Sequence, residues 1–137
     1  MSVKKLSDIE LIDLATFTRN SGKLAALQFQ KNIPWAITRV FFITSELPES
    51  RGGHAHIQCN QAFFCNIGHV NIVCRDGTNE NSFELTTMEC VLLVPASIWV
   101  DVVMLEQSSL TVLTDLPYDE SDYINKWDEY LKFRGSV

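Results

Sequence analysis

The sequence predicts an all-β protein, a small antiparallel barrel or sandwich followed by one C-terminal α-helix. Three observations predict it. Short runs rich in β-branched and aromatic residues recur along the chain. Turn chemistry rather than helical periodicity separates them. Only the last segment spaces its apolar residues as a helix does. The 137 residues suit one domain, residues 1–137, large enough for a core of its own, with no linker and no internal repeat.

Residues 9–13 form a short apolar stretch suited to an edge strand. Residues 18–22 are turn chemistry, and 23–29 follow as a strand that Asn32-Ile33-Pro34 interrupts. Residues 38–44 read as a strand. Residues 46–53, with Pro48 and two glycines, read as a loop feeding the strand that carries His54 and His56. Strands over 61–67 and 70–74 flank Gly68-His69, a tight hairpin signal. A turn-rich loop over 76–81 precedes strands at 82–87, 90–94, 98–105 and 109–114. In the last segment Tyr123, Ile124, Trp127, Tyr130 and Leu131 recur at helical spacing. Asp119, Glu120 and Asp122 stand at its start, where the helix dipole favours anions, and Lys132 and Arg134 near its end. Its apolar face is expected to pack on the barrel or on a second subunit.

Bulk properties narrow the function. Apolar residues make up 46% of the chain, which excludes a disordered or low-complexity protein. A net charge of −6 argues against nucleic acid as the main partner. The N-terminus lacks the apolar run of a signal peptide, and no stretch approaches the roughly 18 apolar residues of a membrane span. Cys59, Cys65, Cys74 and Cys90 form no CxxC pair. They read as reduced, mostly buried thiols, and a cytoplasmic location is expected.

The chemistry concentrates in Arg51-Gly52-Gly53-His54-Ala55-His56, which holds two of the three histidines. Side chains at i and i+2 of a strand share a face, so both imidazoles meet on one surface. Such clustering beside Arg51 and Gln61 points to a site. A histidine with an unperturbed pKa near 6.5 serves as a general base at neutral pH. Arg51 and Arg39 can clamp a phosphate with their forked donors, although Arg39 is equally readable as a solvated strand residue.

The spacing His-x-His, four residues, Gln61, six residues, Gly68 resembles the first signature of the cupin superfamily, whose fold is a double-stranded β-helix binding its ligand inside. In metal-binding cupins the ligands are the two histidines, an acidic residue and a third histidine. Here Gln61 and Val100 stand at the last two places, so no tightly bound metal is expected, and no cofactor. The chain also resembles the nucleotide-sugar 3,4-ketoisomerases of the WxcM-like family. Asn32-Ile33-Pro34, Arg39-Val40, Arg51-Gly52-x-His54-Ala55-His56 with Gln61, Asp76-Gly77, Pro95-x-x-x-Trp99 and the run from Tyr118 to Ile124 carry that resemblance. It implies a homodimer that moves the keto group of dTDP-4-keto-6-deoxyglucose from C4 to C3, ahead of an aminotransferase that makes a 3-amino sugar. It implies His56 as the base for the carbon-bound proton, with His54 assisting, and substrate contacts from Arg51, Arg39, Gln61 and Trp99. The family commonly has His where Val100 stands, Tyr where Phe41 and Phe42 stand, and Lys where Ile57 stands. Two groups able to carry the oxygen proton are therefore missing, and water, Tyr118 or Asp101 could replace them. The alternative is a nucleotide-sugar-binding cupin without turnover.

Overall fold

The computed structural model describes residues 3–135. Two five-stranded antiparallel sheets enclose the main core. The first runs β1 (Glu10–Asp13), β9 (Cys90–Val94), β6 (Gln61–Ile67), β11 (Ser108–Thr114), β4 (Arg39–Ser45). The second runs β12 (Tyr123–Ile124), β5 (Glu49–His56), β10 (Trp99–Met104), β7 (His69–Arg75), β8 (Glu80–Thr86). From β4 to β11 every connection except β7–β8 crosses between the sheets, which is the winding of a double-stranded β-helix. A separate hairpin pairs β2 (Phe17–Arg19) with β3 (Gly22–Leu24), and one helix, α1 (Trp127–Gly135), closes the described chain.

Alternate residues of both sheets fill the interior, among them Phe63, Cys65, Leu92, Ile72, Cys74 and Val100. The continuous apolar run of β9 has a physical reason: both of its faces are covered. Leu92 and Val94 face the interior, whereas Val91 and Leu93 lie beneath Leu27, Ile33, Trp35 and Ile37. All four cysteines are buried and free, as expected of small hydrophobes; burial raises the Cys65 and Cys74 thiols to about 11 and about 12.

Four expectations need correction. The strand over 23–29 stops at Leu24; the chain then folds back, with the Gln28 carbonyl accepting the Lys31, Asn32 and Ile33 N–H groups, and wraps the first sheet. Gly68 is no hairpin. It is the corner where the chain passes from β6 in one sheet to β7 in the other, with φ +91 and no room for a Cβ, which would lie 2.5 Å from Ser108 Oγ. The strand carrying the histidines begins at Glu49 rather than after Gly53. The C-terminal helix begins at Trp127; before it come a 3₁₀ turn, Glu120–Asp122, and the two-residue strand β12.

The glycines of β5 aim the histidines. His54 lies opposite Val100 and Gly52 opposite Asp101, so Gly53 is the extra residue of a β-bulge. Both glycines hold positive φ, +89 and +72, and a Cβ on Gly52 would sit 2.8 Å from the Val100 carbonyl oxygen. Gly52→Ala is expected to destabilise the fold by about 1–3 kcal/mol, measured by urea unfolding. An unchanged midpoint and slope would show that this backbone relaxes freely.

Candidate active site

The site forms where β5, β12 and β4 meet. His54 and His56 share the interior face of β5, their rings 5.2 Å apart and nearly perpendicular at 85°. Tyr123 on β12 pairs with His56 in register, so its ring joins them on that face. It lies 4.3 Å from the His56 ring and 4.9 Å from His54. Arg39, His56, Tyr118, Asp122 and Tyr123 line one cleft.

Asp122 organises His56. Its Oδ2 lies 3.0 Å from His56 Nδ1. A carboxylate is only an acceptor, so Nδ1 carries the proton and Nε2 is left bare. Nε2 is buried and has no hydrogen-bond partner among the described residues. The same carboxylate accepts the backbone N–H of Gln58 at 2.8 Å and of Cys59 at 3.1 Å. The Asp122 carbonyl accepts the Ile57 N–H at 2.9 Å, and Asp115 takes both the N–H and the side-chain amide of Asn60 at 2.8 Å. The whole 57–60 connection is therefore tied down by two aspartates. Asp119 presents Asp122 by capping the 3₁₀ turn through the Ser121 N–H and hydroxyl.

Electrostatics keep the pair neutral. Burial lowers the pKa of His54, and the neighbouring His56 lowers it further. Burial likewise lowers that of His56; the Asp122 hydrogen bond and charge oppose the shift, and Arg39 adds to it. The Arg39 guanidinium lies 4.4 Å over Phe41 and 5.2 Å over Tyr118, and no carboxylate among the described residues pairs with it. It is a half-buried cation facing a cleft, suited to an anion.

The other expected contacts fall differently. Gln61 is buried at the start of β6, on the interior face it shares with Phe63 and Cys65. Arg51 shares the histidine face in register, but it lies beyond the bulge and pairs at the surface with Glu49 at 3.5 Å. Trp99 is not at the site. It pairs with Ala55, whose side chain points away from His54 and His56, and its ring packs on Trp127 and Tyr130 of α1. It holds the helix. Of the two residues considered for the oxygen proton, Asp101 lies on that same far face, bonded to Arg75 at 3.0 Å. Tyr118 stacks on Tyr123 at 5.7 Å and is largely exposed. Sequence reasoning missed Asp122 and Tyr123 as site residues because it placed both on the helix. The signal available was the run Asp119-Glu120-Ser121-Asp122, in which an Asp caps its own turn.

The donors present do not make a cupin metal centre. Val100, only 3% exposed, lies opposite His54 where a third histidine would be needed, and Gln61 takes the place of the acid. His56, Cys59 and Asp122 place candidate ligand atoms within 4.8 Å of one another. Three donors already occupy the Asp122 oxygens, however, and burial holds the Cys59 thiol protonated, its pKa raised to about 11. That trio acts as a hydrogen-bond network.

A double-stranded β-helix with a histidine pair inside defines the class: a cupin. Within it, the chain belongs to the family described as FdtA: WxcM-like, C-terminal, whose profile matches residues 7–135. It is 30% identical over 132 residues to the TDP-4-oxo-6-deoxy-alpha-D-glucose-3,4-oxoisomerase of Aneurinibacillus thermoaerophilus, covering 93% of this chain and 94% of that one. The 3,4-ketoisomerase of Helicobacter canadensis superposes with a TM-score of 0.88 at 30% identity, over 93% of this chain and 98% of the other. A mutant of the 3,4-ketoisomerase QdtA of Thermoanaerobacterium thermosaccharolyticum, solved with TDP-4-keto-6-deoxyglucose, matches with a TM-score of 0.88 at 27% identity, over 96% and 97%.

The lowered pKa values have a consequence for stability. Unfolded histidines titrate near their ordinary 6.5, above the folded values, so between the two the unfolded chain binds more protons. This pair's contribution is complete above pH 6.5 and is lost as pH falls through the folded values. Urea unfolding across pH 7.5 to 5 is expected to show stability falling below about 6.5, with a shallower fall in the double variant His54→Asn/His56→Asn. Equal slopes would contradict the assignment.

Proposed function

We propose that this protein is a sugar 3,4-ketoisomerase that moves the keto group of dTDP-4-keto-6-deoxyglucose from C4 to C3, supplying a 3-keto sugar for amination. The observation that carries the reading is the bare, buried Nε2 of His56, oriented by Asp122 beside a second neutral imidazole. Family membership and the activities of the named relatives support it.

The chemistry follows from the groups. His56 Nε2 takes the proton from C3; the C–H electrons form a C3–C4 double bond, and the carbonyl electrons move onto O4. O4 gains a proton to give the enediol. O3 then loses its proton, C3 becomes the ketone, and C4 receives hydrogen. Hydrogen is only redistributed, so no cofactor is needed. A neutral imidazole within hydrogen-bond reach of the carbon acid suits the first step. His54, packed edge-on to His56, assists that ring. Arg39 holds the diphosphate, and Gln61 and Arg51 are further polar groups on the interior faces.

We further read the molecule as a cytoplasmic homodimer. No helix among the described residues is long and apolar enough to cross a membrane. Val40 and Phe42 project outward from β4, an edge strand, with Phe42 70% exposed, and the unattached β2–β3 hairpin exposes Phe17 and Leu24. An apolar edge of this kind is suited to a second copy. Sedimentation is expected to show a dimer that Phe42→Asp converts to monomer. A monomeric wild type would contradict the dimer.

The catalytic reading is tested by NMR of the substrate incubated with protein in deuterated water. Wild type is expected to give the 3-keto product with deuterium at C4, and to place deuterium at C3 of the recovered substrate. His56→Asn should lose about 10²–10⁴-fold in rate, the worth of a positioned general base. Asp122→Asn should lose about tenfold or more, because an amide cannot satisfy Gln58, Cys59 and His56 together and a charge-assisted bond of roughly 1.5–3 kcal/mol goes. Binding of dTDP without exchange or conversion would make the protein a binding module instead.

A further inference from the structure

The structure assigns the oxygen-side proton transfer to Tyr123: its phenol hydroxyl protonates O4 as the enediolate forms and recovers a proton from O3. This inference rests on the ketoisomerase reading above. The reaction needs a group that can both give and take a proton beside two adjacent oxygens. The interior faces around the histidines offer little else. Phe41, Phe42 and Val100 carry no exchangeable proton, and Val100 fills the position opposite His54. Asp101 is turned to the far face and bonded to Arg75. Tyr118 contacts Arg39 and the Tyr123 ring rather than the imidazoles.

Tyr123 alone among the described residues packs its ring against both histidines, at 4.3 and 4.9 Å. Register with His56 fixes its backbone on the second sheet, and Ile124 anchors the other face beneath Trp99 and Tyr130. Its hydroxyl is spent on no other group: none of the described residues hydrogen-bonds it. A phenol is both donor and acceptor, so one group can serve each oxygen in turn. The cycle balances. The phenol proton goes to O4, the phenolate takes the O3 proton as the C3 carbonyl forms, and His56 carries the carbon-bound hydrogen from C3 to C4.

The test is Tyr123→Phe, which keeps the ring packing and removes only the hydroxyl. Turnover is expected to fall about 10²–10³-fold, the usual effect of losing one donor at a developing oxyanion. KM should change little. Deuterium exchange at C3 needs the base and the donor at O4 but not the recovery of the O3 proton, so it should fall less than turnover, and exchange per turnover rises. Asp101→Asn should keep wild-type turnover. Unchanged turnover in Tyr123→Phe would overturn the assignment, and so would a parallel loss of exchange and turnover at an unaltered ratio, the signature of a packing role. A wild type that neither exchanges nor converts the substrate would remove the ketoisomerase reading itself, whatever the variant does.

Discussion

The hydrogen bond from His56 to Asp122 is the constraint on which the site depends. It joins residues 66 positions apart, at the end of β5 and the end of a 3₁₀ turn. One carboxylate meets an imidazole and two backbone N–H groups, so placing Asp122 also shapes the 57–60 connection into β6. The two-residue strand β12 then follows without freedom, because Asp122 is docked just before it and Tyr123 and Ile124 take up the pairing with His56 and Ala55. A short strand is weak by itself. Here the carboxylate before it and the packing of Ile124 after it hold it in place.

The electrostatic balance of the cleft follows from the same bond. Desolvation makes an imidazolium costly, and a second imidazole nearby increases the cost. Asp122 offsets part of this for His56 alone, which separates the two rings in role: one oriented by a carboxylate, the other held by its backbone and its neighbours. Arg39 lies close enough to bias His56 toward neutrality without an ion pair of its own. An anion bound there would cancel that bias, so the charge state around this guanidinium and the basicity of His56 are coupled.

Much of this was legible in the sequence because it rests on local pattern. Short runs between turns, with β-branched and aromatic residues in 38–44, located the strands at 38–44, 61–67 and 109–114 in one sheet, and His-x-His located the imidazoles on one face. The misses are of another kind. Gly68 carries the same turn signal whether the chain doubles back in one sheet or crosses to the other, and only long-range pairing decides. Glycines argue against a strand, yet Gly52 and Gly53 build a bulge inside one. Tyr123 and Ile124 fit the helical spacing of Trp127 and Tyr130, and a two-residue strand is too short to register a period of two. Trp99 was expected against substrate because it sits in a motif, but strand parity sends it to the face opposite the histidines. Asp122 was assigned to a helix dipole; its actual work is a contact 66 residues away, which no local rule can reveal.

The most direct measurement of the central claim is the tautomer of His56, read from long-range nitrogen–proton correlations of the labelled imidazole at pH 7.5. The expected spectrum shows a protonated Nδ1 and a bare, pyridine-like Nε2, reverting to a mixture in Asp122→Asn. A protonated Nε2 in the wild type, or a tautomer indifferent to Asp122, would contradict the arrangement from which the site and its chemistry are built.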